Sequence, residues 1–176
     1  MPNRYFAIFA QHSAWANRRP CQACERLSPA EYWCEREYWC ERRSSFGSLH
    51  AILNHVLLTD RVWIARIEGR TPPCLGHNQA LYVDLVGLEI ARVAEDEHLQ
   101  QLVPGLPEAR LDLPLLYIDR CGARCEMPLH WVLAHLFDAQ SRCRGEALAL
   151  LVQASTSAPR LNLLAFLRGA EGSTRR

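Results

Sequence analysis

The sequence predicts an all-α chain: a four-helix bundle with a long connection between helices 2 and 3 or 3 and 4, and a small β-hairpin before the last long helix. Three observations carry that expectation. Apolar residues recur at three-and-four spacing in four long stretches, the pattern of a helix that buries one stripe. Each stretch is bounded by capping residues, glycine or proline. Two strand-like runs, Leu115 to Ile118 and Arg124 to Met127, flank the turn-forming Asp119 to Ala123 and read as one short hairpin.

Asn3 stands where it can cap a first helix, with Tyr5, Phe9, His12 and Ala16 on one face and Phe6, Ile8 and Trp15 alongside. Pro20 removes a backbone donor, so this helix either kinks there and resumes through Cys24 to Leu27, or ends early. Ser28-Pro29-Ala30-Glu31 is a capping box with proline at the first helical position, and it starts a new short helix at Pro29. A six-residue word then repeats unchanged, Glu31 to Arg36 followed by Glu37 to Arg42. Six extra residues turn a helix through about 600°, leaving later side chains about 240° from their former face. Such an insertion belongs in a connection, as a short helix extended outward or as a loop, where added length costs roughly a few tenths of a kcal/mol.

Ser45 or Ser48 starts the second long helix, whose apolar stripe is Leu49, Ile52, Leu53, Val56, Trp63, Ile64 and Ile67 and whose end is Gly69. Asp60 falls in the middle of that stripe, with His55 on one flank near the line of Thr59. A carboxylate on a core-facing line is costly unless paired. Asp60 is therefore either a structural group bonded to an arginine, a tryptophan or a neighbouring helix, or a group near a site. After a loop at 70–78, Gln79 to Val103 reads as the third helix, with Leu81, Leu85, Leu88, Val93, Leu99 and Val103 apolar. Glu89, Arg92, Glu95, Asp96 and Glu97 form a charged face expected to be solvated, with His98 a surface histidine among them.

Pro128 to Ser155 is the fourth and longest stretch, with Leu129, Val132, Leu133, Leu136, Ala147, Leu150 and Leu151 on one face. That stripe is apolar at both ends and polar in the middle. On a 3.6-residue helix Cys143 falls inside it, Ala139 and Glu146 lie along one edge, His135 is a little beyond, and Arg142 points away. Leu161 to Leu167 is an apolar closing segment. The expected organisation is one domain over 1–168 and a frayed tail over 169–176.

With 49% hydrophobic residues, 22% charged and a net charge of +1, the chain has the composition of a globular protein with a substantial core. A clustered basic face is missing, which argues against nucleic acid. No run approaches a membrane span, and polar residues interrupt the start where a signal peptide needs an apolar core, so the expected compartment is the cytoplasm. The eight cysteines read mostly as small buried hydrophobes kept reduced. A zinc site made from Cys21, Cys24, Cys121 and Cys125 would require the hairpin turn to meet the first helix.

Several words in a fixed order add a resemblance. They are Trp15-Ala-Asn-Arg-Arg19, Ser48-Leu-His-Ala-Ile-Leu-Asn-His55 running to Asp60-Arg-Val-Trp63, and Met127-Pro-Leu followed by Val132-Leu-Ala-His-Leu-Phe137. Arg144-Gly145 and Leu161-Asn-Leu-Leu-Ala-Phe-Leu-Arg168 complete the set. In these the chain resembles the DinB family of helical bundles along nearly its whole length outside the repeated hexapeptide. The resemblance implies a bundle, often a homodimer, that holds a divalent metal such as zinc or nickel between its second and fourth helices. It further implies thiol-dependent transferases and isomerases in which that metal activates a low-molecular-weight thiol as the attacking thiolate.

The family pattern takes one metal ligand from the second helix, matched here by His55, and two from the fourth, one turn apart. Those two positions fall on Ala139 and Cys143, and a neighbouring family histidine is replaced by Arg142. Ala139 cannot bind a metal, and a catalytic site normally needs three protein ligands. Glu146, at i+3 from Cys143, is the expected third donor of a rebuilt His55/Cys143/Glu146 site, with His135, further around the helix, a poorer candidate and Asp60 a donor able to approach from the second helix. Thiolate is soft, so that set favours zinc. Three functions follow: a metal-dependent thiol transferase or hydrolase with a degenerate site, a metal-free binding or dimerisation module, or metal-free chemistry by the Cys143 thiol.

Overall fold

The structure, a computed structural model, describes residues 3–33, 47–73, 80–154 and 157–173, the side chains of 170–173 excepted. Its long helices are α1 (Asn3–Cys24), α3 (Leu49–Ile67), α4 (Leu85–Gly105) and α6 (Leu129–Gln153). Short helices α2 (Pro29–Trp33) and α5 (Glu108–Leu111), the hairpin β1 (Pro114–Ile118) and β2 (Arg124–Pro128), and a closing α7 (Leu163–Ser173) complete it. This is the all-α bundle with a pre-terminal hairpin that periodicity predicted. Helix α1 packs against α4 and α6, and α3 packs against the same two, so α1 and α3 occupy opposite corners. No described helix is long and apolar enough to cross a membrane.

Local sequence accounts for most of the boundaries. Ser48 Oγ accepts a hydrogen bond from Ala51 N at 3.1 Å to start α3, and Gly69 ends it at φ +71°. The Ser28–Glu31 capping box closes as expected, with Ser28 N donating to Glu31 Oε2 at 2.8 Å. Beyond Trp33 the repeated hexapeptide lies outside the described residues. Pro20 does not end α1, which runs through it to Cys24. The hairpin pairs Leu115 with Met127, and its turn is held by Asp119 Oδ1, which accepts from the backbone of Cys121 and of Ala123 at 2.8 Å each. Helix α7 stays helical past Gly169 to Ser173, over residues expected to fray.

Three expectations need correction. Helix α4 starts at Leu85, not at Gln79, because Asp84 caps it by accepting from Gly87 N at 2.7 Å. Asn3 closes a different helix from the one expected: its Nδ2 donates to the carbonyls of Val103 at 2.9 Å and Leu106 at 2.7 Å, at the far end of α4. Of the face expected for α1, His12 and Ala16 are buried and Phe9 packs on the core, but Tyr5 is 39% exposed, and the buried side extends to Phe6, Ala10, Ser13 and Asn17. Both candidate faces of that helix are apolar near its start, so periodicity alone left them about 100° apart and unresolved. The hydrogen bonds made by Ser13 and Asn17 inside the bundle settle the rotation.

The core is split. One apolar cluster joins Phe6, Leu99, Val103, Leu133 and Phe137, with the Phe6 and Phe137 rings stacked at 6.5 Å. A second joins Cys24, Tyr32, Leu49, Ile52, Ala147 and Leu151. Where α6 passes from the first cluster to the second, it buries the polar side chains of Gln140 and Arg144.

Candidate functional site

Between the two apolar clusters all four long helices contribute polar side chains to one buried layer. Asp60 of α3 is fully buried; its Oδ2 accepts from Arg92 Nη1 at 2.6 Å and its Oδ1 from Gln140 Nε2 at 2.8 Å. Arg92 of α4 also pairs with Asp96 at 2.9 Å, and Asp96 Oδ1 accepts from Asn17 Nδ2 of α1 at 2.8 Å. Arg144 of α6 closes the circuit by donating to Asn17 Oδ1 at 2.9 Å, while Ser13 Oγ donates to Gln140 Oε1. Two carboxylates and two guanidiniums therefore balance, as buried charge must.

Burial pushes the Asp60 and Asp96 carboxyls up, and Arg92 and the amide donors pull them back. For Arg92 burial acts downward, yet the charges of Asp60 and Asp96 outweigh it and raise it. Arg144 is less well matched, and burial pushes it down to about 10. Of the two roles open to Asp60, the structural one is realised by Arg92 and Gln140, and Asp60 also forms part of the floor of a cleft. The expected solvated face of the third helix is corrected at Arg92 and Asp96, which are 5% and 1% exposed. Their spacing from Leu88, Leu99 and Val103 puts them on the core stripe, a signal outweighed in the sequence by the run of charges around them.

That cleft, of about 850 Å³, opens on the other side of Asp60, between α3, α6 and the hairpin. Its wall is aromatic and cationic. The Trp63 ring meets Tyr117 edge-on at 5.2 Å and His135 at 5.3 Å. The Arg66 guanidinium lies 4.6 Å from the centre of the Trp63 ring and 4.8 Å from that of Tyr117, and its Nη2 donates to Ile118 O at 2.6 Å. Arg120 of the hairpin turn and Arg142 of α6 line the same space. Arg142 thus borders the cleft, although the helical wheel turned it away from the stripe. Sequence reasoning missed Arg66, Tyr117 and Arg120 altogether, because hairpin and helix meet only in the tertiary fold.

The residues named from the sequence are placed as follows. His55 is half-buried on α3, lines the cleft, and has Nε2 3.4 Å from Thr59 Oγ1. Cys143 lines it from α6 at 5% exposure and belongs on its other side to the cluster with Ile52, Val56 and Ala147. Burial, then the charge of Glu146, push its thiol up. Glu146 is half-buried on α6, near enough to act on Cys143 but outside the residues that line the cleft. Ala139 contributes a methyl group to the wall, and His135 stands exposed beside Trp63.

Among the described residues, no three His, Cys, Asp or Glu side chains are grouped to hold a metal ion. Of the positions that the sequence pointed to, the cleft holds His55 and the Cys143 thiol, with His135 and Asp60 on the same lining, where a catalytic zinc site takes three converging donors and an open position. Cys21 and Cys24 are buried in α1 with their thiols pushed up to about 12 by burial, whereas Cys121 is exposed on the hairpin turn. A void of about 20 Å³, the size of one water, separates Cys21 and Cys143 from Arg92 and Arg144.

The sequence model of the DinB family matches residues 1–176, the whole chain. No curated protein matches it.

Proposed function

We propose that this chain, which belongs to the DinB family, is a bundle that binds a small molecule in the cleft between α3, α6 and the hairpin, without a metal-activated thiol. The observation that carries this reading is the make-up of the cleft wall. Aromatic rings and guanidiniums line it, and a methyl group stands at Ala139 where the family pattern has a donor. Such a surface suits recognition of a ligand, since concave sites with aromatic walls and a few fixed polar groups are the usual binding geometry.

A second reading keeps the metal-dependent thiol transferase or hydrolase. It is favoured by His55 and Cys143 lining one cleft and by the reach of Glu146 to the thiol. In it those three residues hold zinc or nickel, which displaces the thiol proton and leaves a position for a low-molecular-weight thiol. A homodimer in the cytoplasm belongs to both readings, and sedimentation would establish the assembly.

Elemental analysis of protein purified without a metal-binding tag separates the two. We expect less than a stoichiometric amount of zinc or nickel; one ion per chain would instead establish the second reading. The double substitution Ala139→His with Cys143→His should then raise zinc affinity at least 100-fold by restoring donors one turn apart. No gain would mean that the cleft is not where the family pattern places its site.

A further inference from the structure

Among the described residues the cleft carries more positive than negative charge. Besides Tyr117 and Cys143, both raised and so uncharged near neutral pH, its lining holds three guanidiniums (Arg66, Arg120, Arg142), two imidazoles (His55, His135) and two carboxylates (Asp60, Asp119). Of the two lining carboxylates, Asp60 is neutralised by Arg92, and Asp119, whose charge acts on Arg66, is left to set against three guanidiniums. Asp60 is held by Arg92 and Gln140, and Asp119 Oδ1 accepts two backbone N–H groups of the hairpin turn. Among the described residues no carboxylate lies within 4.0 Å of Arg66, Arg120 or Arg142. Arg66 has, in addition, a buried Nε–H with no hydrogen-bond partner among the described residues, a donor that costs stability unless an acceptor reaches it.

From this geometry we infer that the cleft binds a small organic anion, a carboxylate or phosphate ester carrying an aromatic or otherwise planar body. The anion is held by Arg66, with Arg120 and Arg142 at the mouth, and the planar body rests on the Trp63–Tyr117–His135 wall. Guanidinium groups match carboxylate and phosphate oxygens in paired, charge-assisted hydrogen bonds. A concave surface of one sign also focuses the field on an incoming anion. The aromatic wall supplies the apolar contact and, through its cation–π contacts, already fixes the Arg66 head in place. This inference rests on the cleft being the binding site and adds the class of ligand.

Isothermal titration of the full chain with phenyl phosphate, benzoate and the neutral benzyl alcohol tests it. Both anions should bind at least tenfold more tightly than the alcohol, and should weaken at least fivefold in Arg66→Gln and in Arg142→Gln. Arg160→Gln, on an exposed residue outside the cleft, should leave binding unchanged. The two cleft variants guard against misfolding, because Arg142 is exposed and removing its charge disturbs no described ion pair. Equal affinity for benzyl alcohol and the anions would overturn the anion inference while keeping the cleft as a binding site. Binding of none of the three would overturn both.

Discussion

Two groups of arginines, within a few helical turns of each other, live under opposite conditions. Arg92 and Arg144 are sealed inside the bundle, Arg92 in ion pairs with Asp60 and Asp96 and Arg144 within reach of the same two charges and hydrogen-bonded to Asn17. Arg66, Arg120 and Arg142 face the cleft, where no described carboxylate forms an ion pair with them and Asp119 alone of the lining carboxylates is left to offset them. Charges buried away from water must find their counter-charges within the fold, so the inner layer speaks to structure. Charges beside an open space have water as an alternative partner and need no internal match. An unbalanced set there is compatible with folding, and it is available to a ligand. Asp60 belongs to both regions: its carboxylate is the boundary between the closed layer and the open cleft.

The contrast can be broken most forcefully at that boundary. Asp60→Ala leaves Arg92 with Asp96 alone and Gln140 with an unmet donor, and should cost about 3–5 kcal/mol in urea unfolding. A loss below about 1 kcal/mol would mean that the layer is hydrated and not sealed.

Alkaline pH probes the interior at a smaller cost per pH unit. The Cys21 and Cys24 thiols are raised from 9.0 to about 12 in the folded chain. Between those values the unfolded chain has released protons that the folded one keeps, so rising pH favours unfolding. Stability should fall between pH 9 and 12 by roughly 1.4 kcal/mol per pH unit for each thiol. Cys21→Ala should lower the slope by roughly 1.4 kcal/mol per pH unit, leaving the share of Cys24 and of Tyr32 and Cys143, which burial also raises; an unchanged slope would place the titrating groups elsewhere.

The smallest effect is expected on the cleft side. Arg142→Gln should change unfolding free energy by less than about 0.5 kcal/mol, as is usual for an exposed residue without a specific partner. A loss of 2 kcal/mol or more by the same measurement (roughly the scale of a buried group) would place Arg142 among the structural arginines and erase the distinction.

How far the sequence reached differs along the chain in the same way. Ser48, Gly69 and the Ser28–Glu31 box mark helix ends because a cap is made by residues within one turn of each other. The apolar stripe of α6, polar at its centre, was legible too, and Cys143 inside it marked the level at which Gln140 and Arg144 are buried. Arg92 and Asp96 were not legible as core residues. In a run with Glu95 and Glu97 they look like a solvated face, and only the arrival of Asp60 and Asn17 from other helices makes their burial affordable in energy.

By itself the sequence determined the class of fold, the hairpin, most helix termini and the presence of a carboxylate at position 60 that required a partner, since each depends on periods and caps a few residues long. Which face of α1 turns inward, which arginines are matched, and that Arg66 meets Tyr117 on the wall of a cleft were decided by the tertiary structure alone. The physical reason is that a charge or a rotated face acquires its energy from neighbours distant in the chain, and their identity is set only when the helices pack.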